Sequence, residues 1–209
     1  MNDLDSLTSA IETGDRGEAA NVTQTAIDSG TPPETILAAM VTAMDTVGSK
    51  FQCGEAYIPE MLLASRAMTE ALDLLEPSLV ESGMTPEVKV VVGTVEGDLH
   101  DIGKNLVAMM WKGANFEVID LGTNVSPERF IEAVRESGAQ LVGLSALLTT
   151  TMAAMKTTVE ALKQAGLNDV KIVLGGAPIT QEFADHVGAD GYASDAATAV
   201  TLARQLLVA

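Results

Sequence analysis

The sequence predicts an α/β protein: a four-helix N-terminal bundle followed by a five-stranded parallel sheet with helices on both faces. Three observations predict it. Apolar residues recur with helical spacing until the chain changes character near residue 85. Beyond that point short apolar runs alternate with helical segments, the pattern of a parallel sheet whose strands are buried on both sides. The 209 residues are 47% apolar and 20% charged, enough for a packed core in one large or two small domains. Aromatic residues make up only 3%, so that core is built from Ala, Val, Leu, Ile and ten Met.

The elements follow in order. Leu4, Leu7, Ala10 and Ile11 form one helical stripe, ended by Gly14-Asp15. A second helix covers 17–29 and is broken by Gly30-Thr31-Pro32-Pro33. Thr31 or Pro33 opens a third, with Ile36, Leu37, Met40, Met44 and Val47 on its buried face. A fourth runs over about 59–75, with Met61, Leu62, Ser65, Met68, Leu72 and Leu75. Four helices joined by short turns read as a bundle over residues 1–84. The segment 76–87, with Pro77, Gly83 and Pro86 and no clear period, reads as a linker to an α/β domain over 85–209. Strands are expected at 88–95, 117–121, 141–146, 171–174 and 191–193, with helices over about 102–112, 127–137, 151–165, 180–187 and 196–207. The expected architecture is of the doubly wound, Rossmann-like or flavodoxin-like kind. In such sheets ligands bind outside the carboxyl ends of the strands, so the chemistry is sought there.

Composition excludes several classes. A formal net charge of −17 without a basic stripe argues against nucleic acid, and against an anionic membrane surface. That acidity reads chiefly as solubility, with a secondary role in steering toward basic patches on partner proteins. The lone cysteine, Cys53, permits no intrachain disulfide; without zinc- or cobalt-ligating partners it reads as inert. The N-terminus has neither the basic nor the apolar region of a signal peptide, and no apolar run approaches the ~18 residues of a membrane span. A cytoplasmic protein is expected.

The first carboxyl-edge loop, 93–104, reads Gly-Thr-Val-Glu-Gly-Asp-Leu-His-Asp-Ile-Gly-Lys and holds one of only two histidines. Asp98 and His100 are two apart, so in extended chain they point the same way. The carboxylate can then accept a hydrogen bond from one imidazole nitrogen while the other faces a metal, fixing the tautomer and raising ligand basicity. Gly97 and Gly103 let the backbone turn and approach something bulky. A phosphate loop is a poorer reading, because Gly103-Lys104 is followed by Asn105 and lacks the spaced upstream glycine. His186 lies on a surface helix and reads as structural. Met40, Met44, Met61 and Met68 read as core, and Thr149-Thr150-Thr151 as the opening of a helix whose hydroxyls can cap it.

Two later strand ends carry Ser145-Ala146-Leu147 and Gly175-Gly176, with forty-one residues separating Gly103 from Ser145 and twenty-seven separating Leu147 from Gly175. Singly, each reads as an ordinary strand end or turn. Together, Asp-x-His-x-x-Gly, Ser-x-Leu and Gly-Gly in this order resemble the cobalamin-binding domain of methionine synthase and its relatives. The stretch Gly54-Glu55-Ala56-Tyr57-Ile58-Pro59-Glu60-Met61 is similar to the entry to the last helix of that family's cap bundle, so the resemblance spans nearly the whole chain. It is strongest to the stand-alone corrinoid proteins of microbial methyltransferase systems.

That resemblance implies a cobalamin (corrinoid, cobalt) cofactor with His100 as lower axial ligand and metal ligand, in place of the cofactor's own benzimidazole. Asp98 would hold its other nitrogen. Thr151, six residues after Ser145, would be the third member of the relay, keeping a hydroxyl and adding a methyl. Gly97, Leu99, Asp101, Ile102 and Gly103 would line the cofactor from the first loop. Ser145, Leu147, Thr149, Gly175, Gly176, Ala177, Tyr192, Ala193, Asp195 and Ala196 would line the slot for the displaced nucleotide tail. The implied function is a methyl carrier that accepts a methyl group on cob(I)alamin from a substrate methyltransferase and passes it to an acceptor methyltransferase. Its partners would be that substrate-specific enzyme, an acceptor enzyme using tetrahydrofolate or a thiol, and a reductive activase. Catalysis by the chain alone is not implied. The competing readings are a cobalamin-sensing regulatory module, a mutase subunit and an unrelated flavodoxin-type protein.

Overall fold

The computed structural model describes residues 3–84, 86 and 88–208. The chain divides into two compact units, one comprising residues 1–86 with 112–115 and the other 87–111 with 116–209.

The first unit holds four helices, α1 (Asp3–Thr13), α2 (Arg16–Asp28), α3 (Pro33–Gln52) and α4 (Ile58–Glu81). Their apolar stripes meet in a core of Leu7, Ile11, Ile36, Met40, Met44, Met61, Met68 and Leu75, all essentially inaccessible to solvent. The methionines are thus packing residues, flexible enough to fill a core nearly free of aromatic rings. Asp15 caps α2 by accepting from the Glu18 amide at 3.0 Å. The turn before it needs Gly14, since a Cβ there would sit 2.5 Å from that of Leu63 and the backbone is left-handed at φ 74°.

Helix α4 departs from the sequence expectation. It continues through the first part of the expected linker, carrying Pro77 inside it and ending at Glu81. The apolar stripe explains why: Leu75 and Leu79 are both buried, so packing outweighs the one amide bond that Pro77 cannot make. Thr85 and Glu87, also placed in that linker, lie outside the described residues.

The second unit is a five-stranded, all-parallel sheet of β1 (Val88–Thr94), β2 (Phe116–Asp120), β3 (Leu141–Ser145), β4 (Lys171–Gly175) and β5 (Gly191–Ala193), in the order β2-β1-β3-β4-β5. Between the strands run α5 (Ile102–Gly113), α6 (Pro127–Ser137), α7 (Met152–Gln164) and α8 (Gln181–Val187), with α9 (Ala196–Val208) last. Alternation along the strands supplies both faces. Val91, Val95, Val142, Leu144, Ile172 and Leu174 join Phe130, Val134, Met155, Val159 and Leu162 of α6 and α7 in one core. On the other face a Cβ at Gly143 would come 2.6 Å from the buried Trp111 ring of α5, whose Nε1 donates to the Ala199 carbonyl of α9 at 3.1 Å. The α/β class with helices on both faces is therefore as expected.

The strand order reverses direction between β1 and β3. The loops leaving these neighbours diverge there and open a crevice at their carboxyl ends. Register aligns Thr94 with Ser145 and Ser145 with Gly175, and Gly175 with Ala193, so the motif-bearing strand ends form one row.

Candidate functional site

The row of strand ends gathers the loop 95–101 after β1, the segment 146–151 after β3, the turn after β4 and the segment after β5. Buried Thr94 closes the base of the first loop by donating its hydroxyl to the His100 carbonyl at 2.8 Å. The Val95 amide donates to the Ser145 carbonyl at 3.0 Å, tying that loop to β3. Gly97 turns the chain at φ 83°.

Asp98 is the centre of the arrangement. It is 0% exposed, and its two oxygens divide five donors between them. Oδ1 accepts from the His100 amide at 3.1 Å and lies 2.7 Å from His100 Nδ1. Oδ2 accepts from the Leu147 amide at 2.8 Å, the Leu148 amide at 3.3 Å and the Thr151 hydroxyl at 2.7 Å. Burial alone pushes this carboxyl up. The Leu147 and His100 amides, with the Thr151 hydroxyl and the imidazole, outweigh burial and hold it well below the ordinary carboxylate range. Asp98 is therefore a carboxylate at neutral pH and an acceptor only, so the hydrogen between it and Nδ1 belongs to the imidazole. Nε2 has no hydrogen-bond partner among the described residues, and half of the His100 side chain (51%) is exposed. A buried, fully engaged carboxylate holding one nitrogen of a half-exposed imidazole, with the other nitrogen left without a partner, is the geometry that suits a metal-ligating histidine with its orienting carboxylate.

Thr151 closes a short 3₁₀ turn, Thr149–Thr151, ahead of α7. Its hydroxyl does not cap α7. It lies between Asp98 Oδ2 and the Leu148 carbonyl, 2.9 Å away, while its methyl is 3.7 Å from where a Cβ on Gly97 would be. Thr149 is exposed.

Around this pair the surface is apolar and open. Leu99, Ile102, Leu147 and Leu148 are all exposed large side chains. Gly176, at φ 125°, passes so close to the β3 loop that a Cβ would fall 1.8 Å from the Ala146 carbonyl oxygen, whereas a Cβ on Gly175 would meet only the Ala193 carbonyl at 3.5 Å. Ser145 is half-buried, and its hydroxyl has no partner among the described residues. Ala177 is exposed, Tyr192 half-buried, and Ala193 and Ala196 buried.

Two of the residues singled out from sequence stand at helix starts, and Asp195 caps its helix through its side chain. Asp101 accepts from the Asn105 amide at 2.8 Å through its carbonyl, and from Asn105 Nδ2 at 3.1 Å through its side chain, at the start of α5. Asp195 accepts from the Thr198 amide at 2.7 Å and from the Thr198 and Ser194 hydroxyls. Burial raises its carboxyl, but these donors prevail and its pKa is lowered. Gly103 is exposed in the first turn of α5, and His186 is exposed on α8.

Sequence reasoning missed the support beneath the loop. Lys104, whose side chain is only 2% exposed, donates to both oxygens of Asp120 at the end of β2 and to Asn105 Oδ1. Asn124, in the loop after β2, meets Gly97 and Asp98. Neither pair has a local signature, because both depend on the register of β2 beside β1. Among the described residues no cluster of three His, Cys, Asp or Glu side chains could hold a metal.

Two family models match the chain, both described as B12 binding domains, over residues 88–201 and 3–76. A corrinoid protein of Desulfitobacterium hafniense (strain Y51) is 41% identical over 99% of this chain and 98% of its own length. Dimethylamine corrinoid protein 3 of Methanosarcina mazei is 45% identical over 78% of this chain and 99% of its own. Among solved structures, a cobalamin-binding protein from Desulfitobacterium hafniense DCB-2 superimposes with a TM-score of 0.83 at 33% identity, covering 99% of both chains. A chain of the methanol:cobalamin methyltransferase complex from Methanosarcina barkeri does so at 0.87 and 28% identity, with 99% of this chain and 80% of that one covered.

The site fits such a cofactor on its own terms. The exposed leucines and Ile102 offer an apolar surface beside an imidazole with a free nitrogen, and the glycine turn after β4 puts no side chain over the end of the sheet. Fold, site and relatives agree: this chain belongs to the B12-binding corrinoid proteins of methyltransferase systems, and its cofactor is cobalamin.

Proposed function

We propose that this chain is a methyl carrier, loaded by a substrate-specific methyltransferase and unloaded by an acceptor methyltransferase, with His100 as the axial ligand to cobalt. The observation that carries the reading is the Asp98–His100 pair, a fully buried carboxylate holding a half-exposed imidazole by Nδ1. When bound, cobalamin supplies the nucleophilic metal on which a methyl group rides. The chain's residues do the rest. Asp98 keeps the Nδ1–H tautomer, so Nε2 is the nitrogen available to the metal. Thr151 and the Leu147 and Leu148 amides keep Asp98 ionised. Ser145, Leu147, Gly175 and Gly176, with Tyr192 and Ala193, would hold the nucleotide tail of the cofactor. The helices of residues 1–84 act as the cap domain and those of 85–209 as the binding domain.

A methyltransferase partner is supported by the methanol:cobalamin complex, in which a chain of this fold is found. The dimethylamine corrinoid proteins point to methylated amines as one class of donor. An acceptor enzyme using tetrahydrofolate or a thiol, and a reductive activase, complete the proposed cycle in the cytoplasm. Among the described residues no helix is long and apolar enough to cross a membrane. The regulatory reading has no observation in its favour.

The test is to reconstitute the chain with hydroxocobalamin, reduce it, and add methyl donors, each with its methyltransferase. The expected result is a change of corrinoid spectrum with one donor–enzyme pair, reversed by an acceptor methyltransferase. A reduced, cobalamin-loaded protein that is never methylated by any such pair, or never demethylated, contradicts the reading.

A further inference from the structure

We infer that Asn124 is a positioning residue for cobalt ligation: from the neighbouring β2–α6 loop it clasps the turn that carries Asp98 and so sets the direction of His100. The inference rests on His100 being the ligand.

Asn124 grips two consecutive residues of the ligand loop at once. Its Oδ1 accepts from the Gly97 amide at 2.8 Å, and its backbone amide donates to the Asp98 carbonyl at 2.9 Å. Asp98 is thereby held by its backbone from one side, while its carboxylate is held from the other by Leu147, Leu148 and Thr151. The adjoining residues add a frame: Val95 and Val125 form a parallel bridge, and the Val125 amide donates to the Thr94 carbonyl at 3.0 Å.

The backbone of Asn124 is left-handed, at φ 55°, one of two such non-glycine residues among those described. Asn tolerates this conformation better than most side chains, but Gly tolerates it best. A position needing only the turn would be served by Gly; what Asn adds is the acceptor for Gly97. Without it, Gly97 could rotate about its permissive φ, loosening on one side the turn from which the Asp98 carboxylate orients the imidazole. Direction matters because one imidazole would have to meet Asp98 through Nδ1 and the metal through Nε2 at the same time.

The experiment compares wild type with Asn124→Gly and Asn124→Asp, each loaded with hydroxocobalamin and reduced to the cobalt(II) form for EPR, with cobalamin affinity measured in parallel. Asn124→Gly keeps the turn and removes the acceptor. It should weaken cobalamin binding by about fivefold, the equivalent of one hydrogen bond, and broaden or reduce the histidine nitrogen splitting. Asn124→Asp keeps both φ tolerance and Oδ1, and should restore both readouts to near wild type. Wild-type affinity and splitting in Asn124→Gly would overturn the inference, as would an Asn124→Asp variant as defective as Asn124→Gly. Absence of histidine nitrogen splitting in the wild type is a different failure, of His100 as the ligand.

Discussion

Asp98 has no exposed surface, yet two of its five donors, the Thr151 hydroxyl and the His100 imidazole, are side chains that can be removed singly. Its pKa is lowered in the fold, so the sign of its pH effect is fixed. The stabilisation is fully present above its unfolded value, near 4, and is lost as pH falls through the lower folded one. Asp98→Asn removes the titration and turns one acceptor into a donor facing donors, a loss of about 2 kcal/mol at pH 7. Urea unfolding of the cofactor-free proteins should therefore show a gap between wild type and variant that narrows from pH 6 to pH 3. A constant gap would mean that the carboxylate charge is not what those donors stabilise. The same variant should bind cobalamin about 10- to 100-fold more weakly, the usual cost of losing the group that orients a ligating histidine.

At the scale of elements, the loop 95–101 is secured at its helical end by Lys104 and Asp120, and the two partners are not equivalent. Lys104 is almost wholly buried, at 2%, whereas Asp120 is 36% exposed and also accepts from the Gly122 amide at 2.9 Å. Removing the carboxylate leaves an ammonium group in the interior; removing the ammonium leaves a carboxylate that water can reach. Asp120→Ala should cost about 2 kcal/mol and Lys104→Met under about 1, after allowance for solvent screening at Asp120. Thermal unfolding distinguishes the two, and equal losses would contradict this reading of the pair. These contacts also mark where sequence reasoning stopped. The strands and the Asp98, Ser145 and Gly175 motifs were legible because each is a local run whose alternation or spacing survives without a partner. Lys104–Asp120 and Asn124–Gly97 were not, because they exist only once β2 pairs with β1. Pro77 misled for the opposite reason: a local breaking signal was overridden by the burial of Leu75 and Leu79 on either side of it.

Over the whole molecule, every residue of the candidate site falls in the second compact unit, and each unit has a core of its own. Cobalamin affinity should therefore reside largely in the α/β part. A fragment of residues 85–209 should fold cooperatively and bind cobalamin within about tenfold of the full chain. A fragment with native circular dichroism that binds no cobalamin would show that the four N-terminal helices contribute to binding. The net charge of −17 makes copies of the chain repel one another in solution.

The most direct test of the account is the cobalt(II) EPR spectrum of the cobalamin-loaded protein grown with nitrogen-15 histidine, recorded beside His100→Ala and His186→Ala. The account predicts that labelling changes the axial nitrogen splitting in wild type and in His186→Ala. It also predicts that His100→Ala lacks any histidine splitting and still binds cobalamin, more weakly, through the slot at Ser145, Leu147 and Gly175. A wild-type spectrum indifferent to the label would contradict it, because the nitrogen on cobalt would then not come from His100.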